Sequence, residues 1–165
     1  MKTLLILRHA KSSWKSPDLA DHDRPLNGRG KRDAPLMGRI LSEEHLIPDL
    51  IVTSSAVRAH TTAKKVAKAS GYRGQIEIAS SLYRGGPPAY LDIVRNQPDR
   101  NEKLMLVGHN PDVEQLLNIF TGTEVIMPTC ALAHVSLVLE RWADLNSNTK
   151  GKLVKIWRPK ELTVE

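Results

Sequence analysis

Apolar positions along this chain follow two alternating periods. Two unbroken apolar runs, Leu4-Leu5-Ile6-Leu7 and Leu104-Met105-Leu106-Val107, predict strands buried on both faces within Thr3 to Arg8 and Lys103 to Gly108. Leu50 to Thr53 predicts a shorter strand, and Gln75 to Ala79 a weaker one. Between these runs the period lengthens to that of a helix. From Gly28 to Glu44, the residues Leu36, Met37, Ile40 and Leu41 form an apolar stripe. Ala59, Ala63, Val66 and Ala67 form a second, capped by Ser54 or Ser55 and stopped by Gly71.

After the loop Gly85-Gly86-Pro87-Pro88, a short helix runs to Arg95 with Pro88 in its first turn. Asn110-Pro111 reads as a helix start, with Asn as cap and Pro at the first helical position. Val113, Leu116, Leu117 and Phe120 follow at i, i+3, i+4 and i+7. Beyond Pro128 the pattern turns β-like, and Ala133 to Leu139 and Leu153 to Trp157 predict paired strands joined by the polar turn Asn146 to Gly151. Ser16 to Leu26, with two prolines and three aspartates, is a loop. These alternations predict one α/β domain over residues 1–165. Its architecture is a three-layer sandwich whose central mixed sheet is mainly parallel. Ligands of such sheets bind beyond the carboxyl ends of the strands. Arg8-His9, Arg58 and His109 all fall there.

Composition narrows the partners. The chain has 165 residues, 41% of them hydrophobic, enough for one ordinary core. Its 24 Lys and Arg against 18 Asp and Glu suit anionic partners without choosing among them. Cys130 is the only cysteine, which excludes an internal disulfide and a cysteine metal cluster. The apolar start ends at Arg8, shorter than the roughly seven to fifteen apolar residues of a signal peptide. No apolar run reaches the roughly twenty residues of a membrane span. A cytoplasmic protein with no membrane partner is expected. Only 4% of residues are aromatic, which argues against a stacking surface for single-stranded nucleic acid.

Two arginines and two histidines at strand ends suit phosphoryl transfer. A neutral imidazole attacks phosphorus well when its other nitrogen is held, and His9, at a strand end, can use a backbone carbonyl for that. Arginine binds two phosphoryl oxygens with one planar fork, a task for Arg8 and for Arg58, which lies near a helix N-terminus. His109 donates a hydrogen bond to an oxygen or helps protonate a leaving group. No metal or other cofactor is required. No His pair shows metal-site spacing, and no complete dinucleotide or nucleotide loop surrounds Gly28-Arg29-Gly30. His22, His45, His60 and His134 read as surface or structural residues, and Trp142 and Trp157 as packing residues.

Three blocks now line up. Leu7-Arg8-His9-Ala10, Ser54-Ser55-x-x-Arg58-Ala59-x-x-Thr62-Ala63 and Val107-Gly108-His109-Asn110-Pro111 resemble the signature of the histidine phosphatase superfamily. The short length, His9-Ala10-Lys11-Ser12-Ser13-Trp14 and Arg24-Pro25-Leu26-Asn27-x-x-Gly30 resemble its small bacterial phosphohistidine phosphatase branch, the SixA type. The resemblance implies a phosphoglycerate mutase-like fold. It also implies His9 as the phosphorylated nucleophile, with Arg8, Arg58 and His109 as the phosphate pocket. The expected partner is a phosphohistidine-bearing signalling or phosphotransfer protein.

Two departures carry information. Ala10 replaces the usual Gly after Arg-His. The segment Ser80-Ser81-Leu82-Tyr83-Arg84-Gly85-Gly86 lacks the carboxylate that many members use as general acid. Asp18, Asp21 and Asp23 are candidate substitutes. Lys15 is a candidate phosphate contact and Trp14 a candidate pocket wall. Rival expectations are a phosphatase for small phosphomonoesters, a phosphoprotein-binding module without turnover and, with least support, a basic nucleic-acid binder.

Overall fold

The computed structural model describes residues 1–162. Six strands form one sheet: β1 (Lys2–Arg8), β2 (Leu50–Thr53), β3 (Ile76–Ile78), β4 (Lys103–Gly108), β5 (Leu132–Leu137) and β6 (Gly151–Trp157). Their order across the sheet is β3-β2-β4-β1-β5-β6. The first four run parallel, and β5 and β6 join antiparallel at one side. This is the mixed, mainly parallel α/β sheet expected.

Each apolar run faces two layers. Leu4 and Ile6 of β1 and Leu104 and Leu106 of β4 enter a core with α4 (Gly86–Arg95) and α5 (Asp112–Thr121). Leu5, Leu7, Met105 and Val107 enter the opposite core with α1 (Gly28–Glu43) and α2 (Val57–Ser70). Strand side chains alternate between faces, so a strand covered on both sides must be apolar throughout. Trp142 and Trp157 are buried, one in each core.

Several local expectations need correction. The predicted Gly85–Pro88 loop is mostly helical: a single turn α3 (Ser81–Arg84) leads into α4, which begins at Gly86. Prolines fit there because the first turn needs no backbone donors. Neither Ser54 nor Ser55 caps α2. Ala56 holds that position without a side-chain cap, and both hydroxyls serve other partners. Asn110 does not cap α5 either. Its amide turns to Glu114 Oε2 at 2.8 Å and to the Met127 carbonyl at 3.0 Å. Strand β5 ends at Leu137 rather than Leu139, and β6 begins at Gly151. The Ser16–Leu26 loop contains a 3-10 turn at Asp21–Asp23, and a short α6 (Pro159–Leu162) follows β6.

Helices α1 and α2 pack closely at Gly38. A Cβ there would meet the Ala69 methyl at 2.6 Å and the Ser70 amide nitrogen at 3.1 Å. Gly38→Ala adds helix propensity of about 1 kcal/mol but overpacks this contact by about 1–3 kcal/mol. Net destabilisation of about 1 kcal/mol is expected, measured as a lower urea midpoint at constant m-value.

Candidate active site

Three parallel strands end level with one another. Arg8 of β1 is in register with Gly108 of β4, and Thr53 of β2 with Val107. The ladder runs one residue further: His9 N–H donates to the Gly108 carbonyl, and Ser54 N–H to the Val107 carbonyl, both at 3.0 Å. His9, Ser54 and His109 therefore leave neighbouring strand ends at one edge of the sheet. Helix α2 starts three residues after Ser54 and brings in Arg58 from its first turn. Arg8, His9, Arg58 and His109 line one cavity of about 350 Å³.

His9 is buried, and its Nδ1 lies 2.7 Å from the Ala10 carbonyl. A carbonyl only accepts, so Nδ1 carries the proton and the lone pair resides on Nε2. Burial is the first cause that pushes the His9 pKa down to about 3; the Ala10 bond opposes it, and His109, Arg58 and Arg8 add to it. His109 is also buried, its ring centroid 5.1 Å from that of His9. Burial first, then Arg58, lowers its pKa to about 4.

His109 Nε2 meets Ser54 Oγ at 2.7 Å, and that oxygen also accepts from the Ala56 amide at 3.2 Å. His109 Nδ1 is buried and has no hydrogen-bond partner among the described residues.

The guanidinium groups are held from behind. Arg8 Nη1 donates to the Met127 carbonyl at 3.0 Å, while its buried Nε has no partner among the described residues. Arg58 donates twice to Asp21, from Nη1 to the backbone carbonyl at 2.7 Å and from Nη2 to Oδ2 at 3.0 Å. The Asp21 carboxylate also accepts from Tyr83 Oη at 2.6 Å and from Arg24 Nη1 at 3.0 Å. The Tyr83 bond above all, then those from Arg24 and Arg58, holds this carboxyl well below the usual carboxylate range.

Among the other expected residues, Trp14 and Asp21 line the cavity, and Lys15, Asp18 and Asp23 do not. The chain turns away after Trp14. Lys15 is exposed, with its amide on Ser13 Oγ, and Lys11 lines the cavity instead. Gly30 permits the placement of Lys11: a Cβ there would run into the Lys11 backbone, which the start of α1 crosses closely. Asp23 is exposed and faces His22, and Asp18 is exposed. Ser12, Arg24, Tyr83, Arg84, Asn110 and Thr129 complete the wall. Sequence reasoning had not placed these in the site. Tyr83 and Arg84 stand in the very segment scanned for a carboxylate, so a search for any hydrogen-bonding group there would have found them. Among the described residues, no cluster of three or more His, Cys, Asp or Glu side chains is placed to hold a metal ion. No described helix is long and apolar enough to cross a membrane.

Two expectations follow from this geometry. Asp21→Asn loosens Arg58 and should lower kcat/KM for phosphoryl substrates by about 10²-fold, with little change in far-UV CD. Imidazole NMR titration should show His9 and His109 neutral well below 6.5, charging only near 3 and 4. In the unfolded chain both rings take up protons near 6.5, so that state binds more protons between about 6.5 and 4. Stability therefore falls as pH drops through that window, and chemical denaturation at pH 7 and 5 checks it.

Comparison with known proteins agrees with the first two sequence blocks, which lie within the matched residues. A family model described as "Histidine phosphatase superfamily (branch 1)" matches residues 4–83. An uncharacterised Mycobacterium tuberculosis protein is 33% identical over 151 residues, covering 84% of this chain and 91% of that one. The crystal structure of a candidate phosphohistidine phosphatase, SixA, from Agrobacterium tumefaciens superposes with a TM-score of 0.82 at 27% identity, covering 96% of this chain and 98% of that one. A Nakamurella counterpart, likewise a candidate SixA, gives 0.81 at 26%, covering 96% of each chain. By its sequence, and with the α/β fold those structures share, this chain belongs to the histidine phosphatase superfamily.

Proposed function

We propose that this protein is a phosphatase that works through a phospho-His9 intermediate and prefers phosphohistidine on a signalling or phosphotransfer protein. His9 Nε2 supplies the lone pair, and Arg8, Arg58 and His109 hold the equatorial oxygens. Attack by Nε2 on phosphorus forms one P–N bond and breaks the substrate's own. That bond's electron pair returns to the leaving imidazole, whose other nitrogen already holds a proton, so it departs neutral. Water then attacks phosphorus, and the bond to Nε2 gives its pair back to His9. Both water protons stay with inorganic phosphate, and the Nδ1 proton never leaves the Ala10 carbonyl. The groups named suffice for this without a metal ion.

The observation that carries the substrate preference is Asp21. It is the one carboxylate lining the cavity among the described residues, and its partners keep it ionised. An alkoxide leaving group needs a proton donor, worth about 10²–10⁴ in rate. A protonated phosphoramidate needs none. The exposure of Trp14 and Arg84, which line the cavity, supports a substrate carried on a protein.

Turnover of a phosphohistidine protein should exceed that of sugar phosphates by about 10²-fold or more in kcat/KM. Equal rates on both would overturn the preference, and no turnover of either would overturn the activity.

A further inference from the structure

Trp14 differs from the chain's other two tryptophans. It is 72% exposed, whereas Trp142 and Trp157 are 0% and 4% exposed. One face of its indole is covered, with the Arg24 guanidinium carbon 3.2 Å from the ring centroid. Arg24 is buried and cannot swing aside. Its Nε donates to the Ser13 carbonyl at 3.2 Å, Nη1 to Asp21 Oδ1 at 3.0 Å, and Nη2 to Ser12 Oγ. The loop that carries Trp14 is laced to the segment that carries Arg24, with Ser12 bridging Leu26 and Ser13 N–H donating to the Pro25 carbonyl at 2.8 Å. The ring is thus pinned on one side, and its exposure comes from the other.

Size and chemistry say what could lie there. The cavity, about 350 Å³, is at the small end for ligand sites. Two guanidiniums and two imidazoles take the phosphoryl group, which leaves room for a ring-sized group. The other aromatic wall, Tyr83, is already engaged: His22 and His109 meet it edge-on at 4.9 and 5.6 Å, and the Arg84 guanidinium lies 4.8 Å from its centroid. Trp14 is the wall ring with a free face.

We infer that the exposed face of Trp14, backed by Arg24, is a stacking subsite for a planar leaving group bound to the phosphoryl, such as the imidazole of phosphohistidine. This rests on the proposed function and adds to it a residue that selects flat leaving groups over saturated ones.

The test compares phenylphosphonate with methylphosphonate, which share the anionic head and differ in the flat ring. Calorimetry on the wild type should show the phenyl compound binding about 5- to 10-fold more tightly, the scale of one aromatic pair. That ratio should fall towards one in Trp14→Ala and in Trp14→Leu, which keeps apolar area but no flat face, and should persist in Trp14→Phe. Thermal melts confirm that each variant folds. A wild-type ratio near one, or a ratio that survives in Trp14→Ala or Trp14→Leu, overturns the subsite. Orthovanadate binding to the wild type separates the two levels: binding without discrimination between phosphonates sinks the subsite alone, and no vanadate binding sinks the phosphate pocket and the subsite with it.

Discussion

The parallel register of β1, β4 and β2 is the constraint on which the site depends. Apolar side chains on both faces lock these strands between two helical layers, and a shift of one residue would exchange the two faces. With Leu4 opposite Leu104 and Leu50 opposite that same Leu104, the three strands stop together. Each then delivers its next polar residue to the same edge. The site is the place where the buried ladder runs out, and its geometry is inherited from packing some distance away.

That edge gathers positive groups, which must be kept from repelling one another. Burial handles the histidines by holding both rings neutral, the state that leaves His9 its nucleophilic lone pair. Asp21 handles the arginines. Its carboxylate binds Arg58 and Arg24 together and is itself fixed by Tyr83. Arg8 leans on a backbone carbonyl instead, with Glu114 nearby opposing the effect of its burial. The result is a cluster with fixed donors and one lone pair, at His9 Nε2, left uncommitted.

Much of this was legible in the chain. Leu4 to Leu7 and Leu104 to Val107 could only be strands covered on both sides, and a polar residue directly after such a run must lie at a sheet edge. Arg8, His9 and His109 follow from that. Arg58 follows from helical spacing after a strand. What was not legible depends on contacts between loops. Lys11 and not Lys15 faces the cavity because the chain bends where Ser12 meets Leu26. Arg24 reaches the wall through the same bridge. Ser54 and Asn110 suggested helix caps by type and position, yet tertiary partners, His109 for one and the Met127 carbonyl for the other, outbid the local role. Periodicity reports which residues are buried in an element and is silent about two loops that touch.

The most direct test of the account is the site of phosphorylation within His9. The Ala10 carbonyl occupies Nδ1, so phosphorus can bond only to Nε2. Phosphoenzyme stabilised by alkaline quench and examined by ³¹P and ¹H–¹⁵N NMR should carry one phosphoramidate, on Nε2 of His9, and none in His9→Ala. Phosphate on Nδ1, on another histidine, or on no residue during turnover would contradict it.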